Sequence, residues 1–170
     1  AWNRELVKIT VEGGSEQERI KFYTDLWHSL LGRHIFSDVN GKYIDNTGDT
    51  PQVRQVPLSG GKPVRNTYNS DGLWGSEFNL NLLWSIAYPK VMSEFASLVD
   101  YYHNGGMIAR GPSGGNYTYV MVGDQAIPLI TAAYNKGIRD FDVQAAYEGC
   151  LKNSEPGGIR DYAGYGRTPN

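Results

Sequence analysis

The chain has 170 residues with 16 Lys and Arg against 18 Asp and Glu, a formal net charge of −2. That length fits one domain, and the charge balance supplies no basic cluster for a phosphate backbone, which argues against nucleic-acid binding. No apolar run approaches a membrane span, no signal-like segment opens the sequence, and a single cysteine, Cys150, excludes an internal disulfide and Cys-type zinc sites.

"VKITVEGG", residues 7–14, alternates Val7, Ile9 and Val11 with Lys8, Thr10 and Glu12, which predicts a short strand. The period then changes. Ser15 and Glu18 have capping-box spacing, and Ile20, Tyr23, Trp27, Leu30, Leu31 and His34 follow at helical intervals. His28 falls among these apolar residues as a hydrogen-bonded core histidine. Residues 37–72 carry turn chemistry at Asn40-Gly41, Gly48-Asp49, Gly60-Gly61 and Asn69–Gly72. They predict an ordered, exposed excursion containing hairpin pieces at Tyr43-Ile44 and Gln52–Val56. Asp45, Asn46 and Asp49 lack a calcium-loop pattern and read as turn residues.

Phe78, Leu82, Leu83 and Ile86 mark the next helix, and Pro89 suits the first turn of another. That one runs through Val91, Phe95, Leu98, Val99 and Tyr102 and stops at Gly105-Gly106. A polar loop, "GPSGGNYTYVMVGD", leads to a helix marked by Ile127, Ile130, Ala133 and Tyr134, with Asp124 as its N-terminal cap and Gly137 at its end. Asp142 caps a final helix through Val143, Ala146, Tyr147, Cys150 and Leu151. Five helices thus follow one strand, and the fold is mainly α, with elaborate loops between alternate helices. The 12 Tyr, 4 Trp, 5 Phe and 21 Gly suit carbohydrate recognition as well as core packing. Neither a His-x-x-x-His pair nor a Gly-x-Ser-x-Gly frame is present; Ser113 is no nucleophile.

The stretch "EGGSEQERIKFYTDLWHSLLGRHIFSDVNGKY" resembles the opening of the catalytic domain of glycoside hydrolase family 92. The family pattern F-Y-T-x-L-[YW]-H-[ST]-L-L is met by Phe22–Leu31, and F-S-D-V-[DN]-G-x-Y by Phe36–Tyr43. "GDQAIPLITAAYNKGIRDFD" and "DYAGYGRTP" resemble two further blocks. The resemblance implies calcium-dependent, inverting exo-α-mannosidases of α-1,2-mannosidase type, acting on mannose-containing glycans and secreted or periplasmic in a bacterium. It implies a β-sandwich followed by an (α/α)6 barrel. In that frame residues 1–170 are a single partial domain: 1–14 a junction strand, 37–72 a long loop excursion, and the remainder about half of a toroid. Such a piece belongs to a longer protein, or is completed by a partner chain or by self-association.

Two departures bear on chemistry. The family segment G-[RN]-E-T-x-x-M-x-G carries the general acid as its Glu; here Gly115, Asn116, Thr118, Met121 and Gly123 align, and Tyr117 holds the acid position. The family motif L-W-D-T-[YF]-R reads Leu73-Trp74-Gly75-Ser76-Glu77-Phe78. Its sugar-binding Asp has become Gly75, and Glu77 is the nearest substitute carboxylate. The resemblance therefore implies Tyr117 and Glu77 as the catalytic positions, and Trp74, Gly75, Ser76 and Asn116 as the sugar-binding ones. The main calcium ligands are expected outside this chain. A non-catalytic sugar-binding relative is the alternative.

Overall fold

Ser15 begins the longest helix among the described residues in the way its spacing predicts. Its hydroxyl accepts from the Glu18 backbone N–H at 3.3 Å, while the Glu18 carboxylate accepts from the Ser15 N–H at 2.7 Å. These bonds hold the Glu18 carboxyl below its usual range. The computed structural model describes residues 1–31, 34–69, 73–110, 114–117 and 123–161, apart from the side chain of Trp74. Two compact units result, Ala1–His34 and Ile35–Asn170.

In the first unit α1 (Trp2–Leu6) packs on α2 (Glu16–Leu31), with Trp2 edge-on to Trp27 at 6.1 Å. The strand expected over residues 7–14 does not form. Val7 closes α1, and residues 8–14 run as irregular chain with a turn at Lys8 and bends at Ile9, Gly13 and Gly14. Alternation alone makes no strand: a ladder partner is needed, and the described residues pair none with this stretch. His28 is exposed beside Trp27, not in a core. The two-residue strand β1 (His34–Ile35) marks the boundary, so His34 does not extend α2.

The excursion is built from hairpins. β2 (Lys42–Asp45) pairs antiparallel with β3 (Gln52–Gln55), Lys42 opposite Gln55 and Asp45 opposite Gln52. β4 (Leu58–Ser59) pairs with β5 (Lys62–Pro63) across Gly60-Gly61. Both glycines have positive φ, 56° and 77°, as a two-residue hairpin turn requires. A last short strand is β6 (Tyr68–Asn69).

The helical pattern beyond residue 73 is cut more finely than its periodicity suggests. α3 (Trp74–Glu77) and α4 (Leu80–Ala87) are separated at Phe78-Asn79. α5 (Pro89–Ala96) and α6 (Val99–Gly105) are separated at Ser97-Leu98, where the Ser97 hydroxyl donates to the Glu94 carbonyl. Gly106 ends α6 in the left-handed region. α7 (Ala126–Asn135) and α8 (Val143–Ser154) follow, and the Asp142 carboxylate caps α8 by accepting from the Ala145 N–H at 3.0 Å. Asp124, expected to cap α7, lies one residue too early. Its carboxylate is buried and accepts from Asn153 Nδ2 at 3.0 Å instead.

The core forms where α4, α5 and α7 meet. Trp84, Tyr88, Met92 and Phe95 share one stripe across the Pro89 junction and are almost wholly buried. Phe95 stacks between Trp84 at 5.2 Å and Tyr68 at 4.6 Å. Phe78, Leu82 and Ile86, also four residues apart, are 78%, 56% and 72% exposed. Among the described residues helices outweigh strands, none of which exceeds four residues, in line with the mainly α expectation.

Candidate functional site

Two glycines shape the approach to Tyr117. Gly114 and Gly115 both have positive φ, and a side chain on Gly115 would strike the Ile44 carbonyl. The backbone there is sewn to the excursion. Asn46 donates from Nδ2 to the Gly114 carbonyl at 2.5 Å and from its backbone to the Gly115 carbonyl at 2.9 Å; the Gly114 N–H donates to Asn69 Oδ1 at 3.2 Å. Asn116 is exposed, and its Oδ1 accepts from the Tyr117 N–H at 2.7 Å.

Tyr117 then turns inward and is only 6% exposed. Its hydroxyl donates to the Tyr101 carbonyl at 2.9 Å and accepts from the Met107 N–H at 3.2 Å. Gly105 lies against that hydroxyl so closely that it has no room for a Cβ. The phenol proton is therefore committed to a buried carbonyl. Thr118 and Met121, which continue the motif, lie outside the described residues.

The second motif opens α3. Gly75 and Glu77 are exposed, with open space around the Gly75 Cα. Ser76 is fully buried, and its hydroxyl donates to the Leu73 carbonyl at 2.7 Å. Trp74 is placed as the first residue of α3, but its side chain lies outside the described residues. So the structure joins Asn116 to Tyr117 in one stretch and Gly75, Ser76 and Glu77 in another, each held by different partners.

Sequence reasoning missed a groove of about 830 Å³ in the second unit, walled by the β2–β3 hairpin, α5, α6 and the residues before α8. Arg65 Nη2 reaches both Asp100 carboxylate oxygens, at 2.8 and 2.7 Å. Burial nevertheless pushes the Asp100 carboxyl above its ordinary value, against the pull of Arg65 and His103. Asn104 Nδ2 donates to the Tyr43 hydroxyl at 3.2 Å, and burial raises that phenol too. Glu94, buried, accepts from the Asn66 N–H and Nδ2. His103 lies 3.3 Å from Asp142. At the end of β2, burial tends to raise the Asp45 carboxyl, but hydrogen bonds from Thr47 and Arg54 outweigh it and leave the group below its ordinary value. The only advance signal was turn chemistry in residues 37–72, which says where the chain bends and not what its side chains meet.

Among the described residues no three His, Cys, Asp or Glu side chains group to hold a metal ion. The described side chains therefore supply no carboxylate cluster of their own for calcium. No described helix is long and apolar enough to cross a membrane.

The glycosyl hydrolase family 92 catalytic domain matches residues 1–169. No curated protein matches the chain. Among solved structures, the chain is similar to the family GH92 inverting mannosidase BT2199 from Bacteroides thetaiotaomicron VPI-5482. The two are 23% identical with a TM-score of 0.70, over 90% of this chain and 20% of that one. It is also similar to the family GH92 alpha-mannosidase BT3965 from Bacteroides thetaiotaomicron: 24% identical, TM-score 0.73, over 88% of this chain and 19% of that one. BT3965 has also been solved in complex with mannoimidazole. The chain thus spans about a fifth of the length of either protein, and at these identities the likeness shows the fold.

Proposed function

Because the chain belongs to glycosyl hydrolase family 92, we propose that it forms part of the catalytic domain of an inverting α-mannosidase that removes terminal, α-1,2-linked mannose from glycans. The observation that carries this reading is the family match over residues 1–169. The exposed stripe of Phe78, Leu82 and Ile86 supports an (α/α)6 setting, in which α4 faces a further layer of helices.

Inversion needs one carboxylic acid to protonate the leaving oxygen and one carboxylate to activate water on the opposite face. Tyr117 fills neither role in this proposal. Its proton is bound to the Tyr101 carbonyl, and its ring anchors the loop. Glu77, exposed on α3 next to the open space at Gly75, takes the acid's part. This reading keeps Trp74, Gly75 and Asn116 as sugar-binding positions, while Ser76 holds the first turn of α3. No step is routed through calcium, whose main ligands this reading places outside this chain.

The test is hydrolysis of an aryl α-mannoside and of α-1,2-mannobiose by the intact polypeptide, with calcium and with a chelator. Mannose is released, and Glu77→Gln lowers kcat about 10²–10⁴-fold, the usual cost of losing general acid catalysis. Unchanged turnover in Glu77→Gln removes Glu77 from the acid's role. The burial of Tyr117 at the acid position favours a second reading, a sugar-binding relative without turnover. Binding of mannoside with no mannose released selects it.

A further inference from the structure

We propose that the groove between the β2–β3 hairpin and helices α5 and α6 binds a neutral oligosaccharide segment of about two sugar residues, at a place distinct from the α3 site. Its volume of about 830 Å³ falls within the roughly 300–1,000 Å³ of small-molecule sites. The walls carry four basic side chains, Arg54, Arg65, Lys90 and Arg139. They carry four acidic ones as well, Glu94, Asp100, Asp140 and Asp142. Most of these charges are already answered. Arg65 is paired with Asp100, Lys90 with Glu94, and Arg54 with Asp45 on the same face of the hairpin. Charges balanced and paired in this way leave little net field to select an anion or a cation.

Hydrogen-bonding capacity remains. Arg65 lines the groove, and its Nη1 is buried without a partner, so one donor of the guanidinium is left unsatisfied beside the groove. The Tyr43 hydroxyl accepts from Asn104, which leaves its own proton for a ligand oxygen. Sugar hydroxyls both accept and donate, and so meet both needs. Tyr43 and Phe141 also line the groove, and an aromatic ring can pack on the C–H side of a pyranose. The proposal takes sugar as the ligand class and does not depend on turnover at α3.

The experiment is calorimetric titration of the intact polypeptide with α-linked mannotriose, alone and with mannoimidazole in excess to fill the catalytic site. Arg65→Lys keeps a cation against Asp100 and removes Nη1; Tyr43→Phe removes one hydroxyl and leaves the ion pair untouched. Both variants weaken the binding that persists under mannoimidazole by about tenfold, the effect of one polar contact of about 1.4 kcal/mol. Should Arg65→Lys not fold, Tyr43→Phe alone decides. If mannoimidazole does not bind and no mannoside is cleaved, the hydrolase reading fails, and the groove is judged from the titration with mannotriose alone. Affinity unchanged in the folded variants overturns the groove assignment. So does tighter binding of a mannose phosphate than of neutral mannotriose.

Discussion

The hydroxyl of Tyr117 has one proton, and the Tyr101 carbonyl holds it. Tyr117→Phe leaves that carbonyl and the Met107 N–H without their partner, and a loss of about 1–3 kcal/mol follows. Tyr117→Glu, which restores the family residue on paper, puts a carboxylate against a carbonyl in a buried place and costs more, about 3–5 kcal/mol. Urea unfolding of both variants checks the order; a Glu variant as stable as wild type would mean that the side chain swings out to solvent. Asp45 makes the complementary case. Its folded pKa lies below that of the unfolded chain because Thr47 and Arg54 bind the carboxylate more than burial disfavours it. Its contribution to stability is therefore complete above about pH 3.9 and is lost as pH falls through the depressed folded value. Asp100 has the opposite sign, since burial raises it: its contribution is complete below that pH and lost as pH rises through the folded value. Asp45→Asn should flatten the acid limb of a stability–pH curve, and an unchanged limb would contradict the assignment.

At the scale of elements, the hairpin excursion rests on close backbone approach at Gly41. Its φ is +79°, and a Cβ there would lie 2.5 Å from Val56 Cγ2 and 2.8 Å from Pro63 Cγ. Gly41→Ala should cost about 1–3 kcal/mol, whereas Gly48→Ala, with ordinary φ and nothing near, should stay within about 0.5 kcal/mol. Equal thermal midpoints for the two variants would refute this. Glycine pairs, the Ser15–Glu18 box, Pro89 and the Asp142 cap were legible in the sequence because each acts through its own few neighbours. The strand at residues 7–14 was misread because alternation says nothing about a ladder partner. The breaks at Phe78-Asn79 and Ser97-Leu98 were invisible to a 3.6-residue period that continues across them. The groove escaped notice because Arg65 and Asp100 lie 35 residues apart, and only the folded chain brings them together.

For the molecule as a whole, the family supplies the expected reaction, and the structure limits which residues of this stretch take part. The chain spans about a fifth of the mannosidases it resembles, and the proposed activity is one for the intact polypeptide. Within it, Tyr117 is a structural anchor, the α3 opening holds the exposed carboxylate, and the excursion walls a separate groove. The most direct measurement follows the anomer first formed when the intact polypeptide meets α-1,2-mannobiose in proton NMR. Inverting hydrolysis predicts that β-mannose appears first and then mutarotates. Initial α-mannose, or no mannose at all from a polypeptide that still binds the sugar, would contradict the account.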